Sequence, residues 1–137
     1  MREFDVQPGD LYRLVETARW LLYATRELAI LLGRGALAPR LHVLMARVRH
    51  GVREELLPLV SLRGVGRVRA RLLYKAGFRS LEDLRRASIR ELTKVPQIGP
   101  RLALSIKEQV GGHITEEDLR AAKAEEWVQK SITDYSA

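Results

Sequence analysis

The sequence predicts an all-α protein: a helical bundle built on one long helix, followed by a pair of short helical hairpins. Three observations predict it. Apolar residues recur at three- and four-residue spacing almost throughout. Alternating, strand-like patterns are scarce. Glycines and prolines break the second half into short segments at Gly64, Gly66, Gly77, Pro96, Gly99 and Gly111-Gly112. With 46% hydrophobic and 30% charged residues in 137, the chain is too apolar to be fully disordered.

The elements follow in order. Pro8-Gly9-Asp10 reads as a turn with Asp10 capping the first helix, and Gly33 ends it in a left-handed conformation. The set Leu11, Leu14, Val15, Ala18, Leu21, Leu22, Leu28, Ala29 and Leu32 predicts a buried face along that helix. Gly33-Arg34-Gly35 is a loop, Pro39 opens a second helix where its missing amide needs no partner, and Gly51 ends it. Glu54 to Leu59 forms a short third helix. Thr115-Glu116-Glu117-Asp118 caps a final helix that runs to about Val128 and lies outside the core, with Trp127 packed on the domain. The polar residues Ser131, Thr133, Asp134 and Ser136 after it predict a frayed end. The expected domains are a helical segment at 1–52, a pair of helical hairpins at 53–112, and a C-terminal helix with a flexible tail at 113–137.

Composition excludes several chemistries. Without cysteine there is no disulfide, thiolate metal site or cysteine nucleophile. His42, His50 and His113 lack metal-ligand spacing and read as surface or packing residues, so no metal site is expected. No paired carboxylates or Ser/His/Asp set supports catalysis, which leaves a small nuclease with little support. The longest apolar stretch, Leu28 to Leu32, is far below the ~20 residues a membrane span needs. Met1 is followed by polar residues rather than a signal peptide, so the expected location is the cytoplasm, with no membrane partner.

The charge instead points to a polyanion. Nineteen of the 24 basic residues are arginine, which grips phosphate in bidentate fashion. Residues 61–112 hold 12 basic and 4 acidic side chains, against 9 and 7 in residues 1–60 and 3 and 6 in residues 113–137. Within that basic third the sequence repeats itself. Leu62 to Ala70 aligns with Val95 to Ala103, 33 positions on, and each copy places a branched aliphatic beside a glycine just before a helix. Glycine lets the backbone approach a phosphate closely, and the first amides of the following helix are unpaired donors. The second copy carries Gln97 where the first has Gly64, which leaves its phosphate contact open.

This pattern resembles the tandem helix-hairpin-helix motif of proteins that bind DNA without reading its sequence. The phosphate contacts expected from it are Arg63, Gly64, Val65, Gly66, Arg67 and Arg69, with Gly99 and Arg101 in the second copy, where Arg101 takes the part of Arg67. A wider resemblance covers about residues 8–111. Pro8-Gly9-Asp10-Leu11, Leu14 to Ala18 with Trp20, Gly51 to Val60 and Arg63 to Arg71 resemble, in that order, the C-terminal part of archaeal Ski2-like DNA helicases of the Hjm type.

The resemblance implies a helical "ratchet" segment lying along a translocating single strand and a hairpin domain that grips and restrains that strand. It places Arg13 and Trp20 against the bases. Seven residues apart, they share one helix face, and tryptophan stacks on any base. ATP and magnesium are implied only for a full-length helicase. This sequence has no Gly-x-x-x-x-Gly-Lys-Ser/Thr loop, so no cofactor is expected on it and it is no enzyme alone. The implied partner is single-stranded, forked or junction DNA, in repair and recombination.

Gln129, Ile132 and Tyr135 resemble the peptide by which repair proteins dock on the sliding clamp, with Ser136 in place of the usual second aromatic. The alternative function is therefore a protein-interaction module that docks repair partners through this tail.

Overall fold

The structure, a computed structural model, describes residues 5–135. It is all-α, with no strand among the described residues. The chain divides into two compact units, Met1–Leu57 and Pro58–Ala137. The division falls at 57/58 rather than the expected 52/53, and no third unit begins at 113, because the last helix joins the second unit.

In the first unit, helix α1 spans Pro8–Leu31 and α2 spans Ala38–His50, joined by a 3-10 turn at Gly35–Leu37. Proline rather than Asp10 opens α1: Asp10 lies inside the first turn, its amide donating to the Gln7 carbonyl at 3.0 Å. Its carboxylate still faces the positive end of the helix dipole. At the other end Gly33 has φ +72°, and the Arg34 amide reaches back to the Ala29 carbonyl at 2.7 Å, closing the helix with a left-handed cap. Gly51 ends α2 in the same conformation.

The two helices pack on each other, yet the predicted buried face of α1 is largely uncovered. Ala29 alone is buried; Val15, Ala18 and Leu22 are half-buried, and Leu11, Leu14, Leu21, Leu28 and Leu32 are exposed. The physical reason is geometric: within this unit α2 covers only a narrow strip of α1, whereas the leucines span a face wider than one neighbouring helix can shield.

The second unit holds α3 (Leu57–Val60, which starts one residue before the division), α4 (Arg67–Lys75), α5 (Leu81–Arg86), α6 (Ile89–Thr93), α7 (Pro100–Val110) and α8 (Glu116–Tyr135). Leu59, Leu73, Leu84, Leu92 and Ile106 are fully buried and form its core. Each contributes about 2 kcal/mol of apolar burial.

Helix α8 corrects three expectations. It continues past Val128 to Tyr135, since nothing between them is glycine or proline and the Ser131 hydroxyl bonds back to the Val128 carbonyl at 2.8 Å. It is not outside the core: it packs on α7 and buries Ala122. Trp127 does not pack on the domain but is 79% exposed. Ser136 lies outside the described residues. No described helix is long and apolar enough to cross a membrane.

Candidate nucleic-acid interface

The two glycine turns have the same backbone. In the first, between α3 and α4, Gly64 has φ +82° and Gly66 is extended at φ −87°, ψ −173°; in the second, between α6 and α7, Gln97 has φ +65° and Gly99 is extended at φ −83°, ψ 173°. Hydrogen bonds repeat with the sequence offset. Val65 donates to the Leu62 carbonyl at 3.1 Å and Ile98 to Val95 at 3.2 Å; Ala70 donates to Gly66 and Ala103 to Gly99, both at 2.9 Å. Val65 and Ile98 are buried and anchor the turns. The departure at Gln97 thus leaves the turn shape intact, at a conformational cost of about 1 kcal/mol for a non-glycine residue in the left-handed region.

Three side chains join the turns, and two of these uses have no local signal in the sequence. Arg69 donates from Nε to the Gln97 carbonyl at 3.1 Å and from Nη1 to the Gly64 carbonyl at 3.0 Å. Gln109, on α7, accepts the Arg63 amide at 2.8 Å and donates back to the Arg63 carbonyl at 3.1 Å. Leu102 fills the space beside Gly64, where a Cβ would stand 2.7 Å from its Cδ1. Gly64 is therefore required twice over, by its φ and by this approach.

Between the turns lies an open cleft of about 520 Å³ lined by Arg63, Gly64, Arg69, Gln97, Gly99 and Arg101. Arg63, Arg67 and Arg101 are exposed, and Arg69 is half-buried by its two carbonyl contacts. Arg67 is the first residue of α4, but Arg101 is the second of α7, so by the repeat it stands where Val68 does rather than where Arg67 does. Both second positions face solvent.

Capping distinguishes these helices from their neighbours. Ser80, Ser88 and Thr115 accept the N3 amides of α5, α6 and α8, whereas no side chain caps α4 or α7. Amides of Arg79 and Ser80 hold the Asp83 carboxyl below its ordinary value; the Ser88 amide and hydroxyl do so for Glu91, and the Thr115 amide for Asp118. Among the helices of the second unit with a described N-cap, those that begin at the glycine turns lack a side-chain cap, as α1 and α2 of the first unit also do, and such helix starts can offer amides to an anion.

Lys107 supports the assembly from behind. It is 2% exposed, and its ammonium donates to the carbonyls of Arg85 and Ala87 at 2.6 and 2.5 Å. Burial lowers its pKa. Gly112 leaves it room, since a Cβ there would lie 2.6 Å from Nζ.

In the first unit, Arg13 and Trp20 are both exposed on α1, Trp20 at 67%. Trp20 lines a cleft of about 480 Å³ between α1 and α2, whose other walls include Tyr23, His42, Met45, Arg49 and His50. Those α2 residues escaped sequence reasoning because only the helix pairing brings them to the indole. Ile132 is exposed on α8, while the side chains of Gln129 and Tyr135 lie outside the described residues. Among the described residues no group of three acidic or histidine side chains could hold a metal ion.

Comparison with known proteins bears on both units. Residues 56–111 and 89–131 match the SAM-like helix-hairpin-helix tandem family, and residues 1–51 match domain 4 of archaeal helicases. A relative from Pyrobaculum calidifontis, named ATP-dependent DNA helicase Hel308, is 56% identical over 108 residues, 78% of this chain. Hel308 helicases of the same name from Caldivirga maquilingensis and Pyrococcus abyssi are 48% and 40% identical over 97% and 98% of the chain. The chain spans 15% to 18% of the length of these relatives.

Proposed function

The chain belongs to the archaeal Hel308 helicase family, as part of its tandem helix-hairpin-helix and domain 4 region, and from that premise we propose that it binds DNA independently of sequence. The observation that carries the proposal is the pair of matching turns held side by side by Arg69, each opening an uncapped helix beside exposed arginines. Each turn offers a place for a backbone phosphate, with Arg63, Arg67 and Arg101 adding charge. The free hydrogens of Arg69 supplement them while its Nε and Nη1 bonds hold the turns together.

In the first unit, Trp20 stacks on a base and Arg13, two turns away on the same face, also lies against the bases. A ratchet of this kind needs a face open to any base, which the exposure of Trp20 supports. Within a whole helicase the two units grip and restrain the strand that a motor pulls through, on single-stranded, forked or junction DNA in the cytoplasm. ATP and magnesium belong to that motor; this sequence has no phosphate-binding loop for them.

Electrophoretic and anisotropy titrations with single-stranded, duplex and forked DNA at two salt concentrations test the proposal. Affinity that falls steeply with salt and is indifferent to sequence supports it, because arginines bound to phosphate displace counterions. Absence of binding at low salt overturns it.

A second reading, docking on the sliding clamp, is favoured by the 63% exposure of Ile132 on α8. Deleting residues 129–137 tests it: clamp binding disappears while DNA binding persists.

A further inference from the structure

Helix α8 carries a second cation-and-indole stripe that neither the hairpins nor the ratchet face accounts for. Arg120, Lys123, Trp127 and Lys130 follow at intervals of three, four and three residues. At 3.6 residues per turn they fall within about 80° of arc. All four are exposed. Ala122, which α8 buries against α7, lies about 120° round the helix from the centre of the stripe.

Its spacing repeats the α1 arrangement. Arg13 precedes Trp20 by seven residues, and Arg120 precedes Trp127 by seven. The intermediate position is Glu16 on α1 and Lys123 on α8, and the position three after the tryptophan is Tyr23 on α1 and Lys130 on α8. The α8 stripe is therefore the more cationic of the two. Of the six acidic residues in the α8 sequence, Glu116, Glu117 and Asp118 lie in the first turn, where the helix dipole favours them, and Glu125, Glu126 and Asp134 lie further along; Glu116 stands 3.9 Å from Arg120.

Trp127, 79% exposed, presents the face of its indole to whatever meets this side of α8. Three cations on its own face select a polyanion with flat apolar groups, and single-stranded nucleic acid joins phosphates to such groups at every residue. We infer that the Arg120–Lys123–Trp127–Lys130 face of α8 is a second single-strand stacking site, with a base on the Trp127 indole and the flanking phosphates on Arg120 and Lys123. The inference rests on the proposed DNA binding but on a different helix.

The chain holds two tryptophans, Trp20 and Trp127, so Trp20→Phe leaves Trp127 as the sole indole reporter while keeping an aromatic face at position 20. The full chain with this substitution is titrated with fluorescently labelled oligothymidylate, following oligonucleotide anisotropy and Trp127 emission together. Emission should fall in step with binding, and acrylamide quenching of Trp127 should weaken. Trp127→Ala in the otherwise unaltered chain should weaken binding about fivefold or more. Arg120→Ala with Lys123→Ala should reduce the salt slope by about 1.4.

Binding by anisotropy with silent Trp127 emission and unchanged affinity of Trp127→Ala overturns the α8 site alone. No binding by the unaltered chain overturns the DNA-binding proposal with it. If polyglutamate alters Trp127 emission as strongly as oligothymidylate does, the face is an acidic-protein surface and the stacking site is overturned.

Discussion

Arg69 and Gln97 meet across the two hairpins: the arginine Nε donates to the glutamine carbonyl at 3.1 Å, and the same guanidinium holds the Gly64 carbonyl at 3.0 Å. Both acceptors lie in left-handed turns, whose carbonyls have no partner within their own helices. One side chain thereby sets the distance between two phosphate-facing corners. Arg69→Ala should lower unfolding stability by about 1 kcal/mol, since both carbonyl acceptors are solvent-exposed. It should weaken DNA binding as well, measured by urea unfolding and anisotropy on the same preparation. Loss of affinity without loss of stability would show that Arg69 is a phosphate contact only.

Gly64 and Gln97 occupy equivalent corners but respond oppositely to substitution. Gly64→Ala places a methyl against Leu102 at φ +82°, and should cost about 2 kcal/mol. Gln97→Gly removes a side chain from an unfavourable backbone region and should stabilise by about 1 kcal/mol, with its carbonyl still available to Arg69. Thermal unfolding of the two variants checks the signs.

Arg67 and Arg101 are exposed at the starts of α4 and α7. Arg67→Ala with Arg101→Ala should lower affinity about tenfold for every DNA sequence tested, with a salt slope reduced by about 1.4 on single strands. A change in sequence preference instead would contradict backbone recognition.

Trp20 is exposed beside Tyr23, Arg49 and His50. Trp20→Ala should therefore leave stability nearly untouched and cost about 1–3 kcal/mol of single-strand affinity, with a smaller loss on duplex DNA, whose bases are already stacked. Arg49→Ala should add a further loss if the α2 wall of the cleft meets the neighbouring phosphate.

Acid should act through the capping boxes. Asp83, Glu91 and Asp118 have folded-state pKa values below their ordinary 3.8, 4.5 and 3.8. A depressed carboxylate contributes stability above its unfolded pKa and loses it as pH falls through the folded one. Stability should thus hold down to about pH 4.5 and decline below it. Ser80→Ala and Ser88→Ala, which remove hydrogen bonds that depress Asp83 and Glu91, should be less stable at neutral pH and differ less from the unaltered chain in acid. A gap independent of pH would refute the linkage.

Local chemistry was legible in the residues themselves. Gly33 and Gly51 end their helices, Thr115 and Asp118 cap α8, and the two turns 33 residues apart fold alike, because each depends on a few adjacent dihedrals and hydrogen bonds. Burial on α1 is not legible in the sequence, because periodicity marks an apolar face without saying how wide a neighbour will cover it.

By itself, the amino-acid sequence determined the helical class, the paired glycine corners, the concentration of arginine around them and the absence of an ATP-binding loop. Only the tertiary structure decided that Arg69 ties one corner to the other, that Gln109 pins Arg63 from 46 residues away, that Lys107 is buried against carbonyls of the α5 end, and that Trp127 faces outward. The physical reason is range: backbone conformation is written in neighbouring residues, whereas the use of a long polar or aromatic side chain depends on what packing brings within about 3 Å of its tip.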